Sequence, residues 1–226
     1  IGVYVLEPAE PLPPMTQEDL EFERFQIKAV SAIEEELDRI LKTRKQSRIQ
    51  TIADMVIRNY GHLDEKINFY QNLRSLEDYV SRHSLNVAIL CAMITHVMNI
   101  RREEQYHTVC AALLHDMGKL KKHEDVYFGA PYSREDAIRN CETQEEAYSV
   151  IEDALATEGP AIRRICQQAA GKQLDLFPEE GKESRYKMLE GSNVLLVANR
   201  YDEITAMTLQ GTAQSEVKAL QELLEY

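Results

Sequence analysis

Apolar residues recur along most of this chain at steps of three and four, the period of a helix with one buried face. Leu20, Ile27, Val30, Leu37 and Leu41 form the first stripe, with charges between them. Thr16 precedes it as an N-cap, and Asp19 completes an approximate capping box. The pattern predicts a long amphipathic helix over 16–43. Ile49, Ile52, Val56, Leu63, Ile67 and Tyr70 predict a second helical stretch, broken at Gly61. The two read together as a helical hairpin, which could also serve as a linker or a dimerising arm. Leu76, Val80, His83, Val87, Leu90, Ile94 and Val97 predict a third helix over 76–98 and place His83 inside its apolar stripe.

A fourth helix is expected over 102–116, ending near Gly118. Shorter ones follow over 133–141, 143–157 and 160–170, with Thr143 and Glu146 as a capping box for the second of these. The polar stretch 171–183 reads as a loop. Two amphipathic helices, 186–209 and 213–224, close the chain. Nothing alternates with the period of a strand, so the expected class is all-α: a helical bundle preceded by a long N-terminal helical hairpin. Pro8, Pro11, Pro13 and Pro14 make residues 1–15 an extended leader. The expected organisation is therefore a leader over 1–15, an N-terminal helical segment over 16–72 and a bundle domain over 73–226.

Composition narrows the function classes. With 226 residues, 44% hydrophobic and 28% charged, the chain can bury a core without staples. Asp and Glu total 38 against 26 Lys and Arg, a formal charge of -12, which argues against a basic face for DNA. No run approaches the roughly 20 apolar residues of a membrane helix, so no membrane insertion is expected. No basic segment followed by an apolar run opens the chain, so no secretory signal is expected. Cys91, Cys110, Cys141 and Cys166 form no CxxC pair. They are expected as buried thiols of a reducing, cytoplasmic compartment.

The string Leu114-His115-Asp116-Met117-Gly118-Lys119 carries the chemistry. Adjacent helical residues point about 100 degrees apart, so His115 and Asp116 can converge on one ion only from two sides. One nitrogen and one oxygen ligand suit Zn, Mn, Fe and similar ions. Gly118 would let the chain turn away sharply, and Lys119 could then reach an anionic group at the ion. Alone, the pair reads more readily as a polar helix end; His83, a second inward-facing imidazole on the preceding helix, adds to the metal reading. His62, His96, His107 and His123 are expected in ordinary roles: solvated at 62, packing at 96 and 107, an exposed loop at 123.

Three segments then carry a resemblance. Tyr79-Val-Ser-Arg-His83-Ser-Leu-Asn-Val87-Ala, Ala111-Ala-Leu-Leu-His115-Asp116-Met-Gly118-Lys119 and Asn193-Val-Leu-Leu-Val197-Ala-Asn199-Arg-Tyr201-Asp202-Glu-Ile follow in order. Together they resemble the HD superfamily of metal-dependent phosphohydrolases, and within it the HD-GYP branch, which hydrolyses cyclic dinucleotides. The resemblance covers residues 73–226. It implies a bundle around a metal centre with His83, His115 and Asp116 as ligands and Lys119 on substrate phosphate. Asn199 falls where the family has its final Asp ligand; an amide oxygen is neutral and a weaker ligand. Asp202, one turn on, is a candidate additional ligand.

Further departures bear on the number of metals. Gln167 and Gln168 stand where the branch has paired histidines, no Gly-Tyr-Pro follows them, and Asn140-Cys141 lies near the expected middle histidine. These changes imply at most one divalent ion (Fe, Mn or Zn), or none if the site has decayed. Two readings follow. One is a degenerate HD-GYP-like signalling domain, regulatory or protein-binding, with the N-terminal helices available for a homodimer. The other is a metal-dependent phosphohydrolase acting on a cyclic dinucleotide or another phosphorylated nucleotide. If the site is otherwise intact, Asn199→Asp should raise metal affinity.

Overall fold

The computed structural model describes residues 16–63, 78–121, 133–173, 187–206 and 214–224. The described residues contain eight α-helices and no strand. These are α1 (Gln17–Thr43), α2 (Ile49–Tyr60), α3 (Tyr79–Val97), α4 (Arg102–Leu114), α5 (Arg134–Leu155), α6 (Gly159–Gln173), α7 (Glu190–Thr205) and α8 (Glu216–Leu224). Short 3-10 turns, Met117–Lys121 and Ala156–Glu158, follow α4 and α5. The expected all-α class holds. The leader 1–15, Ile67, Tyr70, Leu76, His123 and most of the expected loop 171–183 lie outside the described residues.

The N-terminal hairpin belongs to the same core as the rest. Ala29, Ile33, Leu37 and Ile40 of α1 and Ile49, Ile52, Ala53 and Val56 of α2 join the core built by α3, α4, α5, α6 and α7. Burying each of the Ile, Leu and Val side chains among them contributes about 1.5–3 kcal/mol. The buried face of α1 is rotated from the expected stripe: Ile33 and Ile40 are fully buried, whereas Ile27 is 60% exposed. The turn between the helices has Arg44 in the left-handed region at φ 55, and its N–H bonds to the Ile40 carbonyl. Glu36 then closes the hairpin. Its Oε1 accepts the backbone N–H groups of Ser47 and of Arg48, the latter at 2.7 Å, and Oε2 accepts the Ser47 hydroxyl at 3.0 Å. A carboxylate from α1 thus caps the N-terminus of α2, where residue 48 supplies no side-chain cap.

Helix α3 differs most from its sequence pattern. Besides Val80, His83 and Val87, it buries Ser81, Ser84, Leu85, Asn86, Ala88, Ile89, Cys91 and Ala92, while Val97 is 64% exposed. It is the central helix, packed by α1, α2, α4 and α7, so small and polar residues fill faces that a one-sided helix would give to water. The expected boundary at Thr143 is absent. Thr143 lies buried inside the continuous α5, so its capping-box pattern was a false start signal.

The expected role of Gly118 also needs correction. The chain does not turn away there but continues as a 3-10 turn against α5. A Cβ at 118 would stand 2.6 Å from both the Gln144 Oε1 and the Thr143 carbonyl oxygen. Glycine is required by close approach, not by a sharp bend.

Candidate metal centre

Helices α3, α4 and α7 bring four separated side chains to one point. His83 comes from the N-terminal part of α3, His115 and Asp116 directly follow α4, and Asn199 comes from α7. All four are nearly fully buried. Ligand atoms of His83, His115 and Asp116 lie within 4.8 Å of one another. The two Nε2 atoms are 3.2 Å apart, and Asn199 Oδ1 lies 2.8 Å from the first and 3.0 Å from the second. Asp116 Oδ2 is 3.4 Å from His83 Nε2.

The outer contacts decide what those nitrogens can do. His115 Nδ1 lies 2.8 Å from the Ala112 carbonyl oxygen, which can only accept, so the ring proton sits there. His83 Nδ1 lies 2.6 Å from Asp202 Oδ2, so that nitrogen donates too. In its neutral form each ring then turns a bare Nε2 lone pair inward. Two nitrogen lone pairs and an amide oxygen face one another with a carboxylate alongside. Facing acceptors repel unless a cation sits between them, so this donor set fits a divalent ion.

The protonation states suit such an ion as well. Burial pushes the His115 imidazole toward its neutral form, against the pull of Asp116. Burial alone would raise the Asp116 carboxyl, but the Lys119 ammonium, with the two imidazoles, outweighs it and holds the group far below the usual carboxylate range. A neutral His and an ionised Asp are the forms a metal needs.

Asp202 does not join the ligand cluster. It stands behind His83, on Nδ1, and its other oxygen accepts Asn86 Nδ2 at 3.1 Å. This carboxylate is placed to orient the His83 imidazole, a different place from the additional ligand suggested by the sequence. Lys119 is buried and bonds to Asp116 Oδ2 at 2.6 Å. It also lines a cavity beside the site with Gln144, Tyr148 and Asn199. That cavity measures about 20 Å³ among the described residues, space on the order of one water molecule.

Three residues missed by the sequence reading complete the surroundings. Gln144 Nε2 donates to Asp116 Oδ1 at 3.1 Å, while its Oε1 accepts Gly118 N–H at 2.9 Å. Tyr148 donates its hydroxyl to the His115 carbonyl at 2.8 Å. Glu203 accepts from Asn199 Nδ2 at 3.3 Å; burial pushes its carboxyl up, with Lys119 and His83 pulling the other way. Asn86 and Glu203 were detectable as one-turn neighbours of His83 and Asn199. Gln144 had no sequence signal, because its role exists only where α5 crosses the 3-10 turn.

The glutamines at the expected paired-histidine positions are used elsewhere. Gln167 bonds to Glu145 at 2.6 Å, and Gln168 Oε1 accepts the Leu189 N–H and the Ser192 hydroxyl. His62 and His96 are exposed, and His107 is half-buried beside Tyr106.

A family model for the HD domain matches residues 80–203, more than half of the chain. The chain belongs to the HD domain family, a superfamily of metal-dependent phosphohydrolases, and its buried His/Asp cluster lies within the matched segment. No curated protein and no solved structure gives a significant match. No described helix is long and apolar enough to cross a membrane.

Proposed function

We propose that this chain is a single-metal HD domain with a mainly regulatory role, a degenerate relative of the HD-GYP branch. His83, His115, Asp116 and Asn199 would hold the ion. One observation carries the reading: both oxygens of Asp116 already have protein partners, Lys119 on Oδ2 and Gln144 on Oδ1. Each carboxylate oxygen has two lone pairs, so Lys119 and Gln144 still leave Asp116 able to meet one ion, while the ammonium on Oδ2 repels a second cation there. The engagement of Gln167 and Gln168 outside the cluster supports the same count.

When bound, a divalent ion supplies Lewis acidity that polarises a phosphoryl oxygen and lowers the pKa of water. The protein's own share is orientation and charge. Asp202 fixes the His83 proton on Nδ1, Ala112 fixes the His115 proton, and Lys119 keeps Asp116 ionised. The buried Lys119–Asp116 pair supports binding of the ion.

A second reading, a phosphohydrolase of a cyclic dinucleotide or another phosphorylated nucleotide, draws support from Lys119 on the cavity wall. Its ammonium has three donors and could share one with a phosphate oxygen. Metal content and turnover separate the two. The full chain is loaded with Mn, Fe or Zn, assayed by elemental analysis, and incubated with cyclic di-GMP and nucleoside monophosphates beside His115→Ala. The regulatory reading expects about one metal per chain, lost in the variant, and no hydrolysis. Hydrolysis dependent on His115 would establish the second reading. Two metals per chain would overturn the single-metal count.

A further inference from the structure

The fourth ligand position is occupied by an amide, and an amide has two faces. Asn199 can present either its oxygen or its NH2 group to the cluster. Only the oxygen is useful. His83 and His115 both have their ring protons committed to outer partners and turn bare Nε2 lone pairs toward Asn199. A flipped amide would donate its N–H bonds to those two nitrogens. The cluster would then satisfy itself, and the lone pairs that a metal requires would be quenched.

The only described contact that distinguishes the two orientations on the outer side is Glu203, four residues along α7. Its Oε1 lies 3.3 Å from Asn199 Nδ2. In its ionised form a carboxylate cannot donate, so it accepts only the NH2 face and repels the oxygen face. Glu203 is itself more than nine-tenths buried. Its other oxygen has no hydrogen-bond partner among the described residues, and Arg200 Nη1 stands 3.9 Å from it. Holding a buried carboxylate with one oxygen unsatisfied costs stability.

We infer that Glu203 is a positioning residue that locks the Asn199 amide with its oxygen toward the ion, making a neutral side chain a competent ligand. The inference rests on the single-metal reading. It also changes what Asn199→Asp should do: an aspartate beside Glu203 meets a like charge, so the gain in affinity from that substitution alone is held back.

The test is a double-mutant cycle read by Mn2+ affinity of the full chain, with free ion followed by electron paramagnetic resonance. Glu203→Met keeps the length of the side chain and removes the acceptor, whereas Glu203→Gln keeps an acceptor oxygen. Glu203→Met should weaken binding about 10–100-fold, in the range of other outer partners of metal ligands, and Glu203→Gln should retain most of the affinity. In an Asn199→Asp background the same Glu203→Met change should cost nothing and should raise affinity, because either carboxylate oxygen can face the ion and the like charge is gone. Equal losses in both backgrounds, or none in either, would overturn the inference while leaving the single-metal reading standing. A wild-type chain that binds no Mn2+ overturns both. If Glu203→Met does not fold, the wild-type Asn199 NH2 protons decide the matter by NMR. Nuclear Overhauser contacts to the Glu203 side chain support the lock, and contacts to the imidazole protons of His83 or His115 overturn it.

Discussion

Two carboxylate networks are buried among the described residues, and they are chemically opposite. At the N-terminal hairpin, Glu36 meets donors only: the N–H groups of Ser47 and Arg48 and the Ser47 hydroxyl. Its acceptors are matched by donors, so the network is complete as it stands. At the metal centre, two imidazole nitrogens and an amide oxygen face one another as acceptors. That network is complete only with a cation. Burial and carboxylates alone therefore do not mark a metal site. The surplus of inward acceptors does, together with outer partners that fix each proton on the far side of its ring.

Removing a carboxylate from each network should separate them, and the largest effect is expected at the metal centre. Asp116→Ala leaves the Lys119 ammonium buried without its partner, costing about 3–5 kcal/mol in urea unfolding and abolishing metal uptake. Retained stability with normal metal content would mean that Asp116 is not part of the centre. Next comes Gly118→Ala, which forces α5 away from the 3-10 turn and costs about 1–3 kcal/mol. Because Gln144 moves with α5, metal affinity should fall too; an unchanged affinity would uncouple Gln144 from Asp116.

Glu36→Gln should cost about 1–2 kcal/mol near neutral pH and leave metal affinity unaltered. Its pH dependence has a defined sign. Burial would raise the Glu36 carboxyl, but the backbone donors of Arg48 and Ser47 outweigh it, so its folded pKa lies below the ordinary value of about 4.5. The stabilisation is then full above about 4.5 and fades as pH falls through the lowered folded value. Unfolding curves of wild type and variant should converge in acid; a gap that widened there would reverse the assignment. The smallest effect is expected from Gln167→His with Gln168→His: metal stoichiometry stays at one by elemental analysis, because the Lys119 ammonium on Asp116 still repels a second cation. A rise to two would show that the α6 side of the site lies two substitutions from a second ion.

Much of the site was visible in the linear pattern. His83 fell inside an apolar stripe, His115-Asp116 stood at a helix end, and the three segments followed in the order of the HD family. The departures at Asn199, Gln167 and Gln168 were equally visible, since each is a change of residue type at a known position. The limits of the pattern show at α3, α5 and Gly118. Periodicity detects one buried face, so it understated a central helix buried nearly all round. It also read Thr143 as a cap because that residue type caps helices elsewhere.

The sequence by itself determined the all-α class, the family and the three residues most able to bind an ion, because helical spacing and residue type are local properties. Only the tertiary structure decided their protonation and orientation. The proton on His83 is set by Asp202 and that on His115 by Ala112. The occupancy of Asp116 is set by Lys119 and Gln144, and the face of Asn199 by Glu203. Some of those partners are close in sequence and others are not. What makes them partners is direction, and direction in a buried polar cluster is fixed by which donors and acceptors the packed helices bring within hydrogen-bond reach.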